Sequence, residues 1–583
     1  MPVPDQAARA GNEADRPTAG GGACGLRAVR RAVREATPWL LCSALSGLLL
    51  ALSFPPADLW PLAFGAFVPL LIALDRAAGY RTAALCGAAT AAVAYLPSFR
   101  WVASVTAPGW LGLAFYVGLY LVAAALLIRF FQRQFPLLWP LLAALLWVAL
   151  ELFRARLGPG FPWLFLGYTQ YRFVGLVQLA ALGGVYAVSF VVFLVGACLA
   201  ALIIGLGAGR KRGRHAVRGC LMLAGSSALL IACAVAGGHV RDRIRLTEGP
   251  VVGVVQQNFP RLVAEIFDER KTLEDYYRER EWEVQVTAEL TAGLRGRGVR
   301  MAVWPESTAP VPLDIPPEMF PNARELGLRD QVIGLLGALG ADMDCHFLVG
   351  APAYFGRSVA RSVVYGVQAT PEFGNSAVML SPDAQFIERY DKIRLVPFGE
   401  YIPLRESLPF LQAFTPIPRE ITPGTEEVVF SLPGGEGEEP VRFGALVCYE
   451  DVFPELCASF RRKGVDFLVN VTDEGWYHIA GELRQHLAMA VFRAVETRTT
   501  VVRAANTGVS CFINPRGEVY AELQPLTKGA LSAPVQLSDA ITPYVRYGDA
   551  FAVTCLMLAI ALPALLLALR PGGSGKTSEA DWR

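Results

Sequence analysis

Apolar residues crowd into two parts of this chain, before residue 238 and again from about 548 to 569, and that distribution limits the fold more than any motif does. A helix rises about 1.5 Å per residue, so about 20 apolar residues cross the hydrocarbon of a bilayer. Spans are expected near 38–54, 58–75, 80–99, 109–129, 136–153, 176–205 and 217–237, with a last one within 547–570. Pro55 and Pro56 split the first two, which are short for the task. The chain is 53% hydrophobic over 583 residues, which is too apolar and too long for one ordinary soluble domain.

The connections carry an independent signal, because Lys and Arg accumulate on the cytoplasmic side of a membrane. Arg27, Arg30, Arg31 and Arg34 precede the first span, and Arg76 and Arg81 follow the second. Arg129 and Arg133 follow the fourth, and Arg210, Lys211, Arg212, Arg214 and Arg218 separate the sixth and seventh. All fall on one side if the N-terminus is inside. About seven spans over 35–240 then carry the chain outward, and the final helix at 547–570 returns a tail, 571–583, to the cytoplasm. The stretch 1–34 is read as a disordered basic N-terminus. A cleaved signal peptide at 27–54 is the competing reading; the spans that follow favour an uncleaved first helix.

From residue 250 the grammar changes to strands and helices in alternation, which points to an α/β domain over 247–545. VVGVVQQ at 251–257 reads as a strand and 269–296 as an amphipathic helix. Further strands are expected at 346–353, 376–381, 441–447, 467–471 and 500–505, with a helix at 482–498.

Three strings in this part carry chemistry: WPES at 304–307, DKIRLVPFGE at 391–400 and LVCYED at 446–451. Glu306, Lys392 and Cys448 are a base, a cation and a nucleophile. A free cysteine has a pKa of about 8.5, so a carboxylate nearby is useful in making it reactive. Attack of sulfur on a carbonyl creates an oxyanion, which an ammonium would stabilise. A lone cysteine is more often a small buried apolar residue. Here Cys448 and Glu306 each follow an apolar strand, where open α/β sheets present functional groups. The chemistry indicated is acyl transfer through a thioester.

These strings resemble the three catalytic segments of the nitrilase (carbon–nitrogen hydrolase) superfamily. A membrane block before such a domain and one span after it resembles the bacterial apolipoprotein N-acyltransferases. The resemblance implies a polytopic α-helical membrane domain plus an α/β nitrilase-like domain, an α-β-β-α sandwich. It implies that Glu306, Lys392 and Cys448 are catalytic, that Glu400 orients Lys392, and that Tyr449 and Glu450 support the site. It implies acyl transfer from a phospholipid to a diacylglyceryl-apolipoprotein at the bacterial inner membrane, by a monomer with no cofactor, metal or nucleic acid. NVTDEGWY at 470–477 and RAANTGVS at 503–510 resemble pocket-lining segments. One departure is that relatives often carry a tryptophan after the V-Q-x-N-x-P string, where Phe267 is the nearest aromatic here.

A membrane-tethered amidase using water would keep the same triad, and a non-enzymatic transporter or scaffold would not need it. GGSGKT at 572–577 lacks the first glycine of a phosphate loop, Arg570 standing there. The histidines, His215, His239, His346, His478 and His486, show no metal-ligand spacing. Two long apolar loops, 308–323 and 401–422, are read as facing the bilayer, with packing on the domain's own surface as the alternative.

Overall fold

The structure, a computed structural model, describes residues 21–570 apart from 208–211, 262–270, 363–365, 415–419, 436, 438 and 478–479. Phe267, His478 and the tail 571–583 therefore lie outside the described residues. The first half is helical: α1 (Gly21–Ser53), α2 (Val68–Arg76), α3 (Tyr80–Ser98), α4 (Ala107–Gln134), α5 (Trp139–Arg156), α6 (Val174–Val177), α7 (Ala180–Leu206) and α8 (Arg212–Arg243). Among the described residues, four helical stretches are long and apolar enough to cross a membrane: Ala107–Gln134, Ala180–Leu206, Ala216–Arg243 and Ala550–Ala568.

The expected span at 58–75 is not one helix. A 3-10 turn, Trp60–Phe64, precedes the nine-residue α2, which at about 1.5 Å per residue reaches only half of a bilayer core. The two pieces still join the two ends of the helical body. At one end the Pro55 carbonyl accepts from Gln485 of the α/β domain; at the other the Leu74 carbonyl accepts from Arg129 and the Asp75 carbonyl from Arg133. Pro61 and Pro69 open the two pieces, each at a first-turn position where no backbone donor is needed.

The second half contains two six-stranded sheets. One runs β12-β1-β2-β3-β4-β5 and the other β11-β10-β9-β8-β7-β6. The first holds β1 (Thr247–Gln256), β2 (Met301–Trp304), β3 (His346–Ser362), β4 (Gly366–Leu380), β5 (Phe386–Asp391) and β12 (Gly529–Leu537). The second holds β6 (Val429–Leu432), β7 (Val441–Val447), β8 (Phe467–Thr472), β9 (Thr500–Ala505), β10 (Cys511–Ile513) and β11 (Val519–Glu522). In each, three central strands are parallel and joined by helices, while the flanks are antiparallel. The crossover helices are α9 (Leu273–Ala292) and α10 (Ala323–Met343) in the first, and α11 (Pro454–Arg462) and α12 (Ala480–Thr497) in the second.

Strand alternation makes the layers. Met301, Val303, Leu348, Ala377 and Met379 share a core with Phe443, Ala445, Val469 and Val502 of the other sheet. Their neighbours Ala302, Trp304, Phe347, Val349 and Val378 instead pack with Val284 and Ala288 of α9 and Val332 and Leu336 of α10. This is the α-β-β-α sandwich implied by the resemblance. Of the two long loops, 308–323 packs on the domain itself, with Val311 joining Tyr277 and Leu328 in a small core. The 401–411 stretch leaves Leu404, Leu408 and Phe410 exposed.

In the second sheet's helical layer, α12 is buried along almost all of its described length. α12 lies against α7, and its polar side chains bond across that junction. Gln485 donates to the Pro55 and Ser98 carbonyls and accepts from Trp163 Nε1 at 3.0 Å. Arg493 and Glu496 form a fully buried ion pair at 2.8 Å. Arg493 also donates to the Val452 carbonyl at 3.0 Å, and Glu496 accepts the Val185 backbone N–H of α7 at 2.9 Å. After α13 (Pro543–Tyr547), the closing helix α14 (Ala550–Ala568) returns to pack on α5 and α7.

Removing one member of a buried pair strands the other charge. Arg493→Ala is expected to lower stability by about 3–5 kcal/mol, seen as a large fall in melting temperature of the detergent-solubilised protein. The double substitution Arg493→Met, Glu496→Gln is expected to recover part of that loss.

Candidate active site

Glu306 stands two residues past the end of β2, after Pro305, and Ser307 turns the chain away with φ of 52°. Strand β3 passes close beside this corner at Gly350. A Cβ there would lie 2.2 Å from the Pro305 carbonyl oxygen and 2.5 Å from Glu306 Cα, so only glycine lets the two strands approach. The Glu306 carboxylate is buried and accepts from three sides: Asn375 Nδ2 at 2.6 Å, Lys392 Nζ at 3.4 Å and the Asp473 backbone N–H at 2.7 Å.

Lys392 follows β5, anchored by its own N–H to the Asn375 carbonyl at 2.8 Å. Its ammonium is 1% exposed and donates to Glu400 Oε1 at 2.7 Å. The other Glu400 oxygen accepts the Val396 N–H at 2.8 Å, which closes the eight-residue loop on itself. Burial works against the lysine's charge, but the Glu400 and Glu306 carboxylates outweigh it and hold Lys392 well above the usual lysine range. Glu400 thus anchors the Lys392 ammonium by a hydrogen bond and ion pair.

Cys448 follows β7 with φ of 55°, a left-handed conformation uncommon for a residue with a side chain. It opens the 3-10 turn Cys448–Val452. Its thiol lies in the field of Glu306, Lys392 and Glu400. Burial, and then the Glu306 charge, push the thiol well above the usual cysteine range, with Lys392 pulling the other way. Burial likewise pushes the Glu306 carboxyl up, opposed by Lys392. The resting pair is thus a thiol beside a carboxylate of raised basicity, and sulfur becomes nucleophilic as its proton moves to Glu306.

Glu450 has a structural part in this arrangement. Its two oxygens accept from the Tyr390 hydroxyl at 2.8 and 2.9 Å, from the N–H groups of Ile393 and Arg394 at 2.7 and 2.9 Å, and from the Val447 N–H at 2.8 Å. One carboxylate so fastens the residue before the cysteine to the residues after the lysine. Tyr449 lies beneath Trp163, their rings 6.2 Å apart and 18° from parallel, and its buried hydroxyl has no hydrogen-bond partner among the described residues. All six residues singled out from the sequence thus fall in one region.

Sequence reasoning missed Asn375, which bridges Glu306 and Glu400 with its amide. It also missed Trp163, a residue of the helical half that forms part of the wall. The signal for Asn375 was a polar residue at the head of the apolar run SAVML. For Trp163 there was none, since its contacts are with residues about 300 positions away. Among the described residues Glu474, Glu482 and His486 bring possible metal donors together. His486 Nε2 lies 2.5 Å from Asp451 Oδ1 and Nδ1 2.6 Å from Glu474 Oε1.

Comparison with known proteins follows the same division. Residues 46–198 match the apolipoprotein N-acyltransferase N-terminal domain and residues 252–542 the carbon-nitrogen hydrolase family. An apolipoprotein N-acyltransferase of Geobacter metallireducens is 34% identical over 546 residues, covering 90% of this chain and 94% of the relative. One from Chlorobaculum tepidum is 28% identical, covering 90% and 96%. An amidase of the nitrilase superfamily from Nesterenkonia AN1 is similar to 54% of the chain, with a TM-score of 0.35 at 16% identity. This membrane protein belongs to the apolipoprotein N-acyltransferase family.

Proposed function

We propose that this enzyme moves an acyl chain from a membrane phospholipid, through a thioester on Cys448, to the N-terminal amine of the diacylglyceryl-cysteine of apolipoproteins. The observation that carries the reading is the Glu306–Lys392–Glu400 cluster around Cys448, walled on one side by Trp163 of the helical half. In the first half-reaction Glu306 takes the Cys448 proton as sulfur attacks the ester carbonyl. Lys392 and the Tyr449 N–H stabilise the oxyanion, and lysophospholipid leaves with a proton returned by Glu306. In the second the amine attacks the thioester, Glu306 receives the amine's proton, and the Cys448 thiol is restored.

The donor explains the membrane. Each buried methylene holds a lipid in the bilayer by about 0.8 kcal/mol, so the catalytic group has to sit where the lipid is. Exposed Leu404, Leu408 and Phe410 support contact of the 401–411 loop with lipid. We place the protein in the bacterial inner membrane with the α/β domain outside. Support comes from the basic residues: Arg129 and Arg133 bond to the carbonyls at the end of α2 and Arg570 to Gln134 of α4, so these arginines share the end of the helical body remote from the α/β domain. The division into an N-terminal segment 1–34, spans over 35–240, an outer domain 247–545, a last span 547–570 and an inner tail 571–583 remains our assignment.

Intact-mass analysis after incubation with phospholipid alone is expected to show one acyl adduct on Cys448, which a lipopeptide then removes. Cys448→Ala and Cys448→Ser should give no N-acylated product while the protein still inserts; normal transfer by either refutes the reading. Release of free fatty acid in place of N-acyl lipopeptide would favour the amidase-like alternative. Glu306→Gln should slow adduct formation by at least 100-fold, on the scale of general-base losses of about 10²–10⁴. Glu450→Gln turns an amide toward backbone donors and is expected to lower adduct formation without loss of membrane insertion, measured by the same mass assay.

A further inference from the structure

Behind the catalytic cluster lies a second group of charged side chains that the proposed chemistry does not use. Asp451, Glu474, Glu482, His486 and Arg503 come from the turn after β7, the loop after β8, helix α12 and strand β9, and all are buried. His486 Nε2 meets Asp451 Oδ1 at 2.5 Å and Nδ1 meets Glu474 Oε1 at 2.6 Å. Arg503 binds the same two carboxylates, Asp451 through Nη1 and Glu474 Oε1 through Nη2 at 2.8 Å, and its Nη2 comes no nearer to His486 Nδ1 than 3.3 Å, longer than the 2.6 Å from that nitrogen to Glu474. Gly508 is pressed against Glu474, where a Cβ would fall 1.5 Å from Oε2, so Glu474 has no room to swing away.

A neutral imidazole has one N–H and one lone pair. Placed here, its lone pair would face a carboxylate oxygen at hydrogen-bond distance, which is repulsive. Protonating one of the carboxylates would remove the clash, but Arg503 donates to both, and a guanidinium pairs best with an anion. An imidazolium gives each carboxylate a donor and balances two cations against two anions. The fifth group, Glu482, then carries its proton: burial and the Glu474 charge hold its carboxyl well above the usual range.

We propose that His486 is a positioning residue held as an imidazolium, whose two N–H donors tie the turn bearing Cys448 to the loop that holds Glu306. The connections are short on both sides. Asp451 lies three residues after Cys448 in the same 3-10 turn. Glu474 is bonded in sequence to Asp473, whose backbone N–H donates to Glu306 Oε2 at 2.7 Å. One planar ring thus sets the separation of nucleophile and base. The link through Cys448 and Glu306 rests on the function proposed above; the charge state of His486 does not.

The groups facing His486 are Asp451, Glu474, Glu482 and Arg503. Burial opposes the ring's charge and Asp451 outweighs it, so the pKa is pushed up to about 9 from an ordinary value of 6.5. A raised histidine pKa means that the contribution is complete at low pH, still present at pH 7.5, and lost as pH rises through about 9. Lys392 and the Cys448 thiol are both held well above their usual ranges, so neither supplies a limb at that pH.

The test uses the full chain in nanodiscs with ¹⁵N-labelled histidine. At pH 8, histidines of ordinary pKa near 6.5 are neutral, so a ring with both nitrogens protonated that titrates near pH 9 is the expected result. A spectrum with every ring neutral at pH 8 overturns the proposal, and needs no variant. In parallel, formation of the Cys448 adduct from phospholipid alone should fall about tenfold per pH unit above 9 in the native protein. His486→Gln is expected to lower that rate about 100-fold at pH 7.5, the scale of a misplacement of about 1 Å, with the half-saturating phospholipid concentration unchanged and the alkaline limb gone. Asp451→Asn should give the same pattern. A His486→Gln protein with native rate, or with the limb intact, overturns the positioning role. Failure of the native protein to form any adduct refutes the proposed function, while the ring spectrum still decides the state of His486.

Discussion

An ammonium withdrawn from water costs several kcal/mol unless anions meet it closely, and the site is organised around meeting that cost at Lys392. Glu400 and Glu306 reach its ammonium at 2.7 and 3.4 Å, and Asn375 bridges the two carboxylates. Satisfying one cation therefore fixes the corner after β2, the head of the β4 apolar run, the end of β5 and the loop to Glu400. The count also sets the chemistry. Paired with Cys448 alone, Lys392 would favour a standing thiolate. With two carboxylates beside it the cluster is net negative, which favours the thiol over the thiolate and agrees with the proposal that Glu306 takes its proton.

The same logic of buried polar groups joins the two halves of the chain. An outer helix of a sandwich ordinarily turns a polar face to water, whereas α12 is covered by the helical half and bonds to it through Gln485, Arg493 (to the Tyr168 hydroxyl) and Glu496. Apolar packing alone tolerates sliding. Polar groups that find their partners in one register do not, because a shift leaves them buried and unpaired. The neighbour of Gln485 on this helix is His486, so the residue that docks the membrane half adjoins the one that spans nucleophile and base.

The readable parts of this fold were those set by local pattern. Apolar runs gave the helical half, and strands such as Val441–Val447 and Thr500–Ala505 were visible because both faces are buried and β-branched residues recur. Glu306 and Cys448 were legible because each follows an apolar strand, and Lys392 because of the string DKIRLVPFGE around it. The break at 60–76 was less so: Pro61 and Pro69 do not interrupt the hydropathy that marks a span, only its helical continuity. Helix α10 was missed since the Pro-rich segment before it masks its start, which Asn322 caps by accepting the Glu325 N–H. Trp163 and the Asp451–His486–Glu474 chain could not be read at all, because their meaning lies in contacts between distant segments.

The arrangement also bears on why an amine rather than water would receive the acyl group. An α-amine of pKa near 8 is partly neutral at pH 7 and attacks a thioester without prior deprotonation. Water is a weaker nucleophile than an amine and depends more on a base during its attack. Glu306 is raised by burial, which suits it to take a proton from a thiol or from an amine that has already added. Trp163 and Tyr449 wall the same space with rings, limiting the water that reaches it. Preference for the amine is then favoured by the acceptor's own nucleophilicity and by the aromatic rings beside the site.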